Sequence, residues 1–439
     1  MITARILLCV AASNQWIVDQ MDVTNAFLHG DLKETVYMRM PPGYHLLSNI
    51  PQSFSATAVC KLTKSLYGLK QAPREWFSKL STALKQFGFC QSHSDNSMFT
   101  IVKDGAFCGV LVYVDDILVT GASAVLDAEV KAFLRSKFKI KDVGPLKYFL
   151  GIEVARSTAG FYLNQRKYVL DLMTDTGLMY AKPSTIPMEQ NHHLTDNESA
   201  LLNSLDTSLY RRIVGKLIYL TITRPDVCYS VHILSQFIHQ PCSDHLQAAF
   251  KVLRFLKSSP GQGLLISSSA SLHLTAYCDS DWAGCQFTRL SLTGYCIKLG
   301  DSLVSWKCKK QHTVSKSSVE AEYRSMADTC CEVVWLVALL KNFLISPKLP
   351  IPFYCDSQST LYIAANPVFH ERTKHIEIDC HIVREKLIRG LIAPTHISTT
   401  EQRADMFTKA LGAAALQFLS SKLNVCNLLQ PSTLRKDVT

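Results

Sequence analysis

The stretch CGVLVYVDDILVTG, residues 108–121, places two adjacent aspartates, Asp115 and Asp116, inside an otherwise apolar run. Hairpin turns favour Asn-Gly or Asp-Gly, because these residues adopt positive φ easily, and Asp-Asp matches that chemistry poorly. Carboxylates in apolar surroundings are costly unless they are paired or bound to a cation. The segment predicts a hairpin, and it leaves open whether the tip is an ordinary turn or a metal site.

Composition limits the classes of protein to which the chain can belong. Its 439 residues are enough for two or three domains, and 47% hydrophobic with 19% charged residues is ordinary for a globular protein. The formal net charge of +10 favours an anionic partner such as nucleic acid. The 15 cysteines include no Cys-x-x-Cys pair, which indicates reduced thiols in a cytosolic or nuclear setting.

Neither a zinc site nor a membrane span is predicted. One group of side chains has a spacing that matches no common zinc pattern well: His370, His375, Cys380 and His381. Lys341 interrupts the apolar residues 333–345, and no apolar run reaches the ~18 residues of a membrane span. Residues 1–13 fit either a signal peptide or an amphipathic core helix.

Hydrophobic periodicity divides the chain into successive regions. Residues 122–138 have helical spacing, and residues 148–165 fit a hairpin that turns near residues 158–160. Helices are predicted within 210–226, where the helix ends before Pro225, and at 245–259, and strands alternate with a long helix in the C-terminal part. The predicted divisions of the chain are 1–185, 186–270, 271–420 and a tail at 421–439.

A third acid is needed to complete a metal site with Asp115 and Asp116. Asp22 follows the strand-like segment WIVDQM, so the three carboxylates are expected to meet at the ends of adjacent strands. Three carboxylates that hold two magnesium ions ~3.5–4 Å apart would form a phosphoryl-transfer site. Sequence spacing alone does not establish that they converge.

Four sequence motifs follow one another along the chain in this order: QMDVTNAFLHGDLKETVYMRMPPGY (20–44), KLTKSLYGLKQAPREWF (61–77), LVYVDDILVTG (111–121) and KYFLGIEV (147–154). Together they resemble the reverse transcriptase of copia-type LTR retrotransposon polyproteins. The resemblance implies RNA-directed DNA polymerase activity and a metal-binding triad of Asp22, Asp115 and Asp116.

The same resemblance implies residues that contact the nucleotide and the primer. Phe27 matches the aromatic residue beneath the sugar, whose bulk would exclude a 2′-hydroxyl, and an ordinary core phenylalanine is the alternative. The nucleotide and template loop corresponds to Gly68, Lys70, Gln71 and Pro73. Arg74 belongs either to that loop or to the plain surface. The primer grip corresponds to Phe149, Leu150 and Gly151, although Leu150 also fits a plain core position.

The C-terminal part of the chain supplies a second set of acids, in AYCDSDWAGC (276–285), SSVEAEYRSMA (317–327), FYCDSQS (353–359) and RADMFTKAL (403–411). A strand, a helix, a strand and a helix contribute one acid each: Asp279, Glu322, Asp356 and Asp405. These phrases resemble the ribonuclease H domain attached to the same polymerases. The resemblance implies an endonuclease that cuts the RNA strand of an RNA–DNA hybrid with two metal ions.

Several of these assignments have an alternative, either a nearby residue or an ordinary structural role. Asp279 is preferred over Asp281 because we expect it to lie closer to the strand end. Glu322 is preferred over Glu320 because Glu-Tyr-x-Ser matches the pattern of the family. Asp405 also fits an ordinary helix N-cap or first-turn acid. The spacing of His396 does not match the catalytic histidine of some ribonucleases H. His375 and His381 match a family phrase, either as structural residues or as nucleic-acid contacts.

The start of the chain departs from the family pattern. Only 21 residues precede Asp22, so we expect the fingers, integrase and protease to be missing. Residues 5–16 resemble the family's helix just before this aspartate, which favours a core helix over a signal peptide. Loss of the fingers would remove the groups that position the triphosphate. The hypotheses are an active polymerase with ribonuclease H, a ribonuclease H beside an inactive polymerase, and a remnant that only binds nucleic acid.

The resemblance implies an α+β fold. A polymerase palm, with an antiparallel sheet, helices and the start of a thumb, is followed by a helical connection and a ribonuclease H-like α/β domain with a mixed sheet. The implied cofactor is Mg²⁺, two ions per active site, with Mn²⁺ as an alternative. The implied partners are an RNA template, a DNA primer, deoxynucleoside triphosphates and RNA–DNA hybrid. No membrane partner is expected, and the expected location is the cytoplasm, within a virus-like particle, or the nucleus.

Overall fold

The computed structural model describes residues 1–42, 58–192, 194–195, 199–269, 271–366 and 377–428. Contacts divide the chain into two compact units, Trp16–Leu146 and Met1–Gln15 with Lys147–Thr439. Antiparallel and mixed sheets are covered by helices, which confirms the predicted α+β class. The sequence-derived division into four segments stays a prediction.

Helix α1 (Ile2–Ser13) opens the chain and belongs to the larger unit. Ten of its residues are buried, as a helix in the middle of a core requires. The Arg5 side chain donates hydrogen bonds to the carbonyls of Val304 (2.9 Å) and Ile222 (2.8 Å), and its guanidinium lies 3.7 Å from the centre of the Trp306 ring. These contacts offset part of the cost of burying a charged side chain.

A six-stranded antiparallel sheet forms the smaller unit, in the order β4-β5-β6-β7-β1-β8. Its strands are β1 (Val18–Val23), β4 (Cys90–Gln91), β5 (Met98–Lys103), β6 (Ala106–Tyr113), β7 (Asp116–Gly121) and β8 (Ile140–Pro145), and β2 (Tyr37–Arg39) pairs with β3 (Val59–Lys61) apart from it. The buried, nearly continuous apolar run of β6 and β7 explains their central place in the sheet.

Two helices pack on this sheet, α2 (Ala72–Phe87) and α3 (Ala124–Lys137). Trp76, Leu80 and Leu84 repeat every fourth residue along α2 and are all buried in the core. Helix α3 confirms the helix predicted at 122–138. The core therefore lies on the face of the sheet that these helices cover.

The larger unit contains a five-stranded sheet in the order β18-β12-β11-β10-β9. Its elements are β9 (Tyr148–Phe149), β10 (Ile152–Ser157), β11 (Gly160–Asn164), β12 (Gly263–Ser267) and β18 (Val425–Cys426), with helices α4 (Arg166–Asp175), α5 (Ser204–Leu220), α6 (Cys228–Ser235) and α7 (Ser243–Ser258). The hairpin predicted at 148–165 is confirmed. The helix predicted within 210–226, with its end before Pro225, is α5, which begins at Ser204 and ends at Leu220; Pro225 begins a 3₁₀ turn and restricts the residue before it.

A second five-stranded sheet of the larger unit is mixed, in the order β15-β14-β13-β16-β17. Its elements are β13 (Leu274–Asp281), β14 (Leu292–Leu299), β15 (Ser302–Lys310), β16 (Ile351–Cys355) and β17 (Ile392–His396), with α8 (Ser318–Asn342), α9 (Gln358–Ala365), α10 (Glu377–Ile388) and α11 (Ala413–Lys422). β13, β16 and β17 are parallel neighbours, so their carboxyl ends lie along one edge of the sheet. Within the described residues, no helix, α8 included, has the length and hydropathy needed to cross a bilayer.

Candidate active sites

Four acids from four separate elements converge at the edge of the mixed sheet. Asp279 is on β13, Glu322 is on α8, Asp356 follows β16, and Asp405 is in the 3₁₀ segment Arg403–Phe407. Carboxylate oxygens of Asp279, Asp356 and Asp405 all lie within 4.8 Å of one another. Asp356 and Glu322 also lie within 4.8 Å of each other, which joins all four acids into one group. We call these four residues the acid quartet.

The acid quartet is largely buried. Asp279 is 1% exposed, Asp405 8% and Glu322 9%, while Asp356 is half-buried. The Glu322 Oε2 atom is buried without a hydrogen-bond partner. Buried carboxylates that share a site and leave an oxygen unpartnered fit a hard divalent cation, which takes oxygen ligands.

Burial shifts the acid–base behaviour of the quartet. Burial, followed by the charges of Asp279, Cys355 and Asp356, raises the pKa of Glu322 well above its usual range. Burial and the charge of Asp279 likewise raise the pKa of Asp405, although Lys409 opposes this shift. The charged forms of these acids are therefore disfavoured until a cation approaches them.

Two neighbours of Asp405 hold the quartet in place. The Lys409 ammonium lies 2.7 Å from Asp405 Oδ1 and 3.4 Å from Asp279 Oδ2. Burial lowers the pKa of Lys409, but the charges of Asp279 and Asp405 outweigh it, so the pKa is raised. The Thr408 hydroxyl donates a hydrogen bond to Asp279 Oδ2. The sequence analysis missed both residues, although the spacing of Asp405 and Lys409 by four positions was a usable signal.

The structure corrects the reason for preferring Asp279 over Asp281. β13 continues to Asp281, so Asp281, not Asp279, lies at the strand end. The charge of Asp279 and the burial of Asp281 raise the pKa of Asp281 to about 6, burial being the larger cause. Asp279 and Asp281 are two positions apart and point to the same face of β13. Asp279 is set apart by its distance to Asp356 and Asp405, since Asp281 belongs to neither group of potential ligands.

Glu320 and Glu322 have different surroundings on α8. Glu320 accepts a hydrogen bond from the Lys316 backbone N–H (2.7 Å), forms an ion pair with Arg324 (2.7 Å) and donates its own N–H to the Ser317 hydroxyl. These are contacts of a helix N-terminus. Glu320 thus has a structural role that explains its position, whereas Glu322 points toward the other acids.

The setting of Asp405 differs from the predicted helix start. Asp405 lies in the middle of a 3₁₀ segment whose N-cap is Gln402. The Gln402 side chain accepts from the Ala404 N–H and donates to the Cys278 carbonyl, which ties the segment to β13. Because Gln402 supplies the cap, Asp405 is not the N-cap residue. His396 is exposed at the end of β17.

The acids of the smaller unit lie on neighbouring strands. Asp22 is within β1, not after it as predicted, because this strand continues to Val23. Asp22 stands directly opposite Asp116 of β7, so the two side chains project from the same face of the sheet. Asp115 is in the two-residue turn between β6 and β7 and is exposed. We call Asp22, Asp115 and Asp116 the acid trio.

The hairpin tip that carries Asp115 and Asp116 is strained, and two hydrogen bonds support it. Val114 has φ +55°, an uncommon conformation for a β-branched residue. The Trp76 indole N–H donates to the Val114 carbonyl over 2.7 Å, and the Gln20 side chain donates to Asp116 Oδ1 over 2.7 Å. Burial raises the pKa of Asp116, the Gln20 hydrogen bond lowers it, and Asp115 and Asp22 raise it further. Sequence analysis missed Gln20.

The acid trio is less compact than the acid quartet. In the described part of the chain, groups of three or more potential ligand atoms within 4.8 Å of one another occur in two places, and both involve the quartet. Asp22, Asp115 and Asp116 belong to neither group. The structure therefore places the trio on one hairpin and its neighbouring strand, without bringing all three carboxylates to a common point.

The predicted nucleotide residues occupy a short 3₁₀ helix and the start of α2. Phe27 is half-buried against the core, and its ring centre lies 4.7 Å from that of Tyr67. Gly68, which has φ +93°, and Lys70 are exposed in the loop before α2. Gln71 is the N-cap of α2, and Pro73 and Arg74 are exposed in its first turn. Partial exposure of Phe27 agrees with either reading of that residue.

The predicted primer-grip residues form a tight hairpin between β9 and β10. Phe149 is buried, while Leu150 and Gly151 turn the chain with φ of +50° and +76°. Positive φ at both central residues is typical of a type I′ turn. The Tyr219 hydroxyl donates to the Leu150 carbonyl and lies against Gly151.

The histidine-rich phrase near residue 375 is only partly described. His370 and His375 lie outside the described residues, as does the segment around them. Cys380 is buried and His381 is exposed on α10. The proposed roles of His375 and His381 stay open predictions.

Comparison with known proteins gives the family. Residues 2–190 match the family described as reverse transcriptase (RNA-dependent DNA polymerase). A Saccharomyces cerevisiae protein named for transposon Ty5-1 is 32% identical over 317 residues, which cover 71% of this chain and 100% of that relative. This chain belongs to the copia-type reverse transcriptase family. Members of the family bind a nucleic-acid template and primer and generally use divalent metal ions.

Long polyproteins are also similar to this copia-type chain. The retrovirus-related Pol polyprotein from transposon RE1 of Arabidopsis thaliana is 44% identical over 421 residues, which cover 96% of this chain and 28% of the polyprotein. The corresponding polyprotein from transposon TNT 1-94 of Nicotiana tabacum is 35% identical over 419 residues, covering 94% and 31%. The chain thus spans less than a third of the length of these relatives.

Proposed function

We propose that the acid quartet cleaves the RNA strand of RNA–DNA hybrids and that the acid trio extends a DNA primer on an RNA template. The observation that carries the first activity is the convergence of Asp279, Glu322, Asp356 and Asp405 from four separate elements. Family membership supports the second activity. Nucleotidyl transfer and RNA hydrolysis are both phosphoryl transfers, which is why similar sets of carboxylates serve both.

The quartet would hold the metal ions through its carboxylates. Two bound Mg²⁺ ions, with Mn²⁺ as an alternative, would activate water and stabilise the leaving oxygen. Asp279 and Asp356 contribute from neighbouring parallel strands, and Glu322 offers its unpartnered Oε2. Thr408 orients the Asp279 carboxylate, since its hydroxyl donates to Oδ2. The rigid elements beneath these side chains keep the acids in place before substrate binds.

For the polymerase activity, Asp22, Asp115 and Asp116 are the proposed metal ligands. Gln20 fixes one oxygen of Asp116, and Trp76 holds the turn that carries Asp115. Phe27 is proposed to lie under the sugar of the incoming deoxynucleoside triphosphate, with Gly68, Lys70, Gln71 and Pro73 lining the nucleotide and template site. The proposed primer grip is Phe149, Leu150 and Gly151.

The proposed partners are an RNA template, a DNA primer, deoxynucleoside triphosphates and RNA–DNA hybrid. The net charge of +10 supports binding of these polyanions. The proposed working compartment is the cytoplasm, within a virus-like particle, or the nucleus. The 15 cysteines are all free, which suits a reducing compartment.

Hybrid cleavage is the activity to test first. The purified full chain is incubated with Mg²⁺ and an RNA–DNA hybrid labelled in the RNA strand, and Asp405→Asn is compared with Asp301→Asn, a change at an exposed carboxylate of the same unit. We expect cleavage by the parent and by Asp301→Asn, and none by Asp405→Asn. Equal cleavage by both variants would remove the quartet from the chemistry.

Primer extension tests the acid trio in the same preparation. Asp116→Asn is compared with Asp104→Asn, which changes an exposed hairpin residue whose φ of +51° asparagine also tolerates. We expect extension on an RNA template to be lost only in Asp116→Asn. Hybrid cleavage without extension by the folded parent would instead support a chain with an inactive polymerase site.

A further inference from the structure

A sulfur atom lies among the acids of the quartet. Cys355 is the last residue of β16 and directly precedes Asp356. Its Sγ and carboxylate oxygens of Glu322 and Asp356 all lie within 4.8 Å of one another. Cys355 is fully buried, and Asp356 is half-buried beside it, so an ion can reach the sulfur from the side of Asp356.

The sulfur of Cys355 has a backbone donor and a buried carboxylate oxygen as neighbours. The Ser357 backbone N–H donates to Cys355 Sγ over 3.4 Å. The Oε2 atom of Glu322 has no other hydrogen-bond partner. Zinc binds sulfur at ~2.3 Å and carboxylate oxygen at ~2.0–2.2 Å in tetrahedral geometry, so the ligand atoms of one ion lie ~3.4–3.7 Å apart. The three atoms lie within 4.8 Å of one another, so side-chain movements of up to about 1 Å bring them into that range.

The donor set differs in kind from the all-carboxylate group of Asp279, Asp356 and Asp405. Magnesium prefers oxygen ligands and gains little from a thiolate, whereas zinc and similar ions bind thiolates strongly. We propose that Glu322, Cys355 and Asp356 form a second metal position, which takes Zn²⁺ or another thiophilic divalent ion and blocks magnesium binding by the quartet. The blocking step rests on the proposed ribonuclease function, whereas the metal position itself does not.

Binding at this position exchanges a proton for the metal ion. The S–H bond of Cys355 breaks, the proton passes to solvent, and a metal–sulfur bond forms with no change of oxidation state. Glu322 and Asp356 supply the other protein ligands. Since both acids belong to the quartet, an ion held by Cys355 removes two of its four carboxylates from magnesium.

Cys278 lies beside Cys355 on the neighbouring strand, and a side-chain hydrogen bond links the two thiols. The Cys278 thiol also donates to the Tyr354 carbonyl over 3.7 Å, and Cys278 belongs to neither group of potential metal ligands. Cys296, on β14, is also fully buried in the same sheet and belongs to neither metal-binding group. Cys296→Ser is therefore a matched control for Cys355→Ser, because each removes one buried thiol from the sheet.

Cobalt is the probe for the metal position, because Co²⁺ bound to thiolate absorbs in the near ultraviolet. Metal-depleted full chain is titrated with Co²⁺, and bound Co²⁺ is then displaced with Zn²⁺. We expect the thiolate band in the parent and in Cys296→Ser, and its absence in Cys355→Ser. Glu322→Gln keeps the thiol and should lower Zn²⁺ affinity at least ~10-fold. A parent without the band, or a folded Cys355→Ser that keeps it, overturns the proposal.

A second measurement separates this inference from the proposed function. Zn²⁺ is added to the Mg²⁺-dependent hybrid cleavage assay, and each variant is compared with its own zinc-free rate. We expect the zinc concentration that halves cleavage to rise at least ~10-fold in Cys355→Ser and to be unchanged in Cys296→Ser. The band without any hybrid cleavage would overturn the ribonuclease function and support the metal position. Cleavage that zinc inhibits equally in both variants overturns the blocking step.

Discussion

The acid quartet and the acid trio show two ways in which a protein can hold carboxylates for one kind of chemistry. Three of the four quartet acids are at least nine-tenths buried, and each acid has a carboxylate oxygen within 4.8 Å of a carboxylate oxygen of another member. In the trio, Asp115 is exposed, Asp22 and Asp116 are half-buried, and no common cluster forms. The difference lies in the supporting elements, since four elements surround the quartet, whereas one hairpin and its neighbouring strand carry the trio.

The comparison teaches where pre-organisation comes from. In a set of acids that already converges, Lys409, proton uptake or bound ions must offset the repulsion, and burial makes the charged, empty arrangement costly. A half-exposed set tolerates its charges in water and depends more on bound substrate and ions to bring its members together. The quartet should therefore respond strongly to changes of its own charge.

Glu322→Gln is the change with the largest expected effect. Loss of one proposed metal ligand should lower hybrid cleavage by ~10³-fold, similar to the loss of a strong electrostatic group in other enzymes. Because the raised pKa keeps Glu322 protonated in metal-free protein, folding at neutral pH costs proton uptake; the glutamine removes this cost, so metal-free protein should gain about 1 kcal/mol, or ~1–2 °C in melting temperature. Cleavage rates and thermal melts in EDTA measure the two effects.

Glu320→Gln is the matched control on the same helix. It weakens the contact with the Lys316 N–H and the ion pair with Arg324, so it should lower stability by ~1 kcal/mol while hybrid cleavage is kept. A higher free energy of unfolding for Glu322→Gln and a lower one for Glu320→Gln support the distinction between a residue of the acid quartet and a structural residue. A destabilised Glu322→Gln with normal cleavage contradicts it.

Gly151→Ala should act on the trio's proposed reaction alone. The added Cβ meets the Tyr219 hydroxyl at a position with φ +76°, so the turn that forms the proposed primer grip must shift. A displacement of about 1 Å can cost ~10²-fold in rate, so primer extension should fall by this order while hybrid cleavage stays unchanged.

Gly144→Ala controls for the backbone effect of that change. Gly144 also has positive φ, +85°, but its new Cβ would meet nothing within 4 Å. The substitution should lower the free energy of unfolding by only ~1 kcal/mol, because alanine adopts the left-handed conformation less readily than glycine, and chemical denaturation measures this loss. Primer extension should stay near the parent rate. Equal losses of extension in both variants would remove the special role of Gly151.

Thr408→Val tests the support of the quartet without changing its charge. The valine keeps the shape of threonine but cannot donate to Asp279 Oδ2. Partners that orient a metal ligand are worth ~10–100-fold in metal affinity, so the Mg²⁺ concentration for half-maximal cleavage should rise by that factor. Thr408→Ser restores the donor and should restore the parent value. A Thr408→Ser variant as impaired as Thr408→Val points to packing as the cause.

His232 lies outside both groups of potential metal ligands and gives a pH signature for the stability of the larger unit. Burial, and secondly the charge of Lys310, lowers the pKa of His232 from 6.5 to about 4. The unfolded chain therefore binds the proton more readily, and stability is lost as the pH falls from ~6.5 toward ~4, by at most ~1.4 kcal/mol per pH unit. The difference in free energy of unfolding between parent and His232→Gln isolates this group, and a pH-independent difference contradicts the shift.

The sequence was sufficient to predict elements whose own residues determine them. The apolar run around Asp115 gives the β6–β7 hairpin, because a central strand is buried on both faces. The helix at 122–138 follows from its 3.6-residue spacing. The four acids of the quartet were selected from family phrases, and the structure brings them together.

Tertiary contacts explain what the sequence did not reveal. The strand end at Asp281 depends on pairing with β14, which extends β13 by two residues beyond Asp279. The helix that was predicted to start at Asp405 is a short 3₁₀ segment, because Gln402 ties it to β13. Lys409, Thr408 and Cys355 are ordinary residue types in sequence, and only their distances to the acids give them a role.

The most direct test of two separate acid sites compares both activities in one preparation of Asp279→Asn and of Asp115→Asn. Hybrid cleavage and primer extension are measured with Mg²⁺, and circular dichroism verifies folding. We expect Asp279→Asn to lose hybrid cleavage and keep extension, and Asp115→Asn to lose extension and keep cleavage. A folded Asp279→Asn variant that cleaves hybrid at the parent rate would contradict the assignment of the acid quartet as the hydrolytic centre.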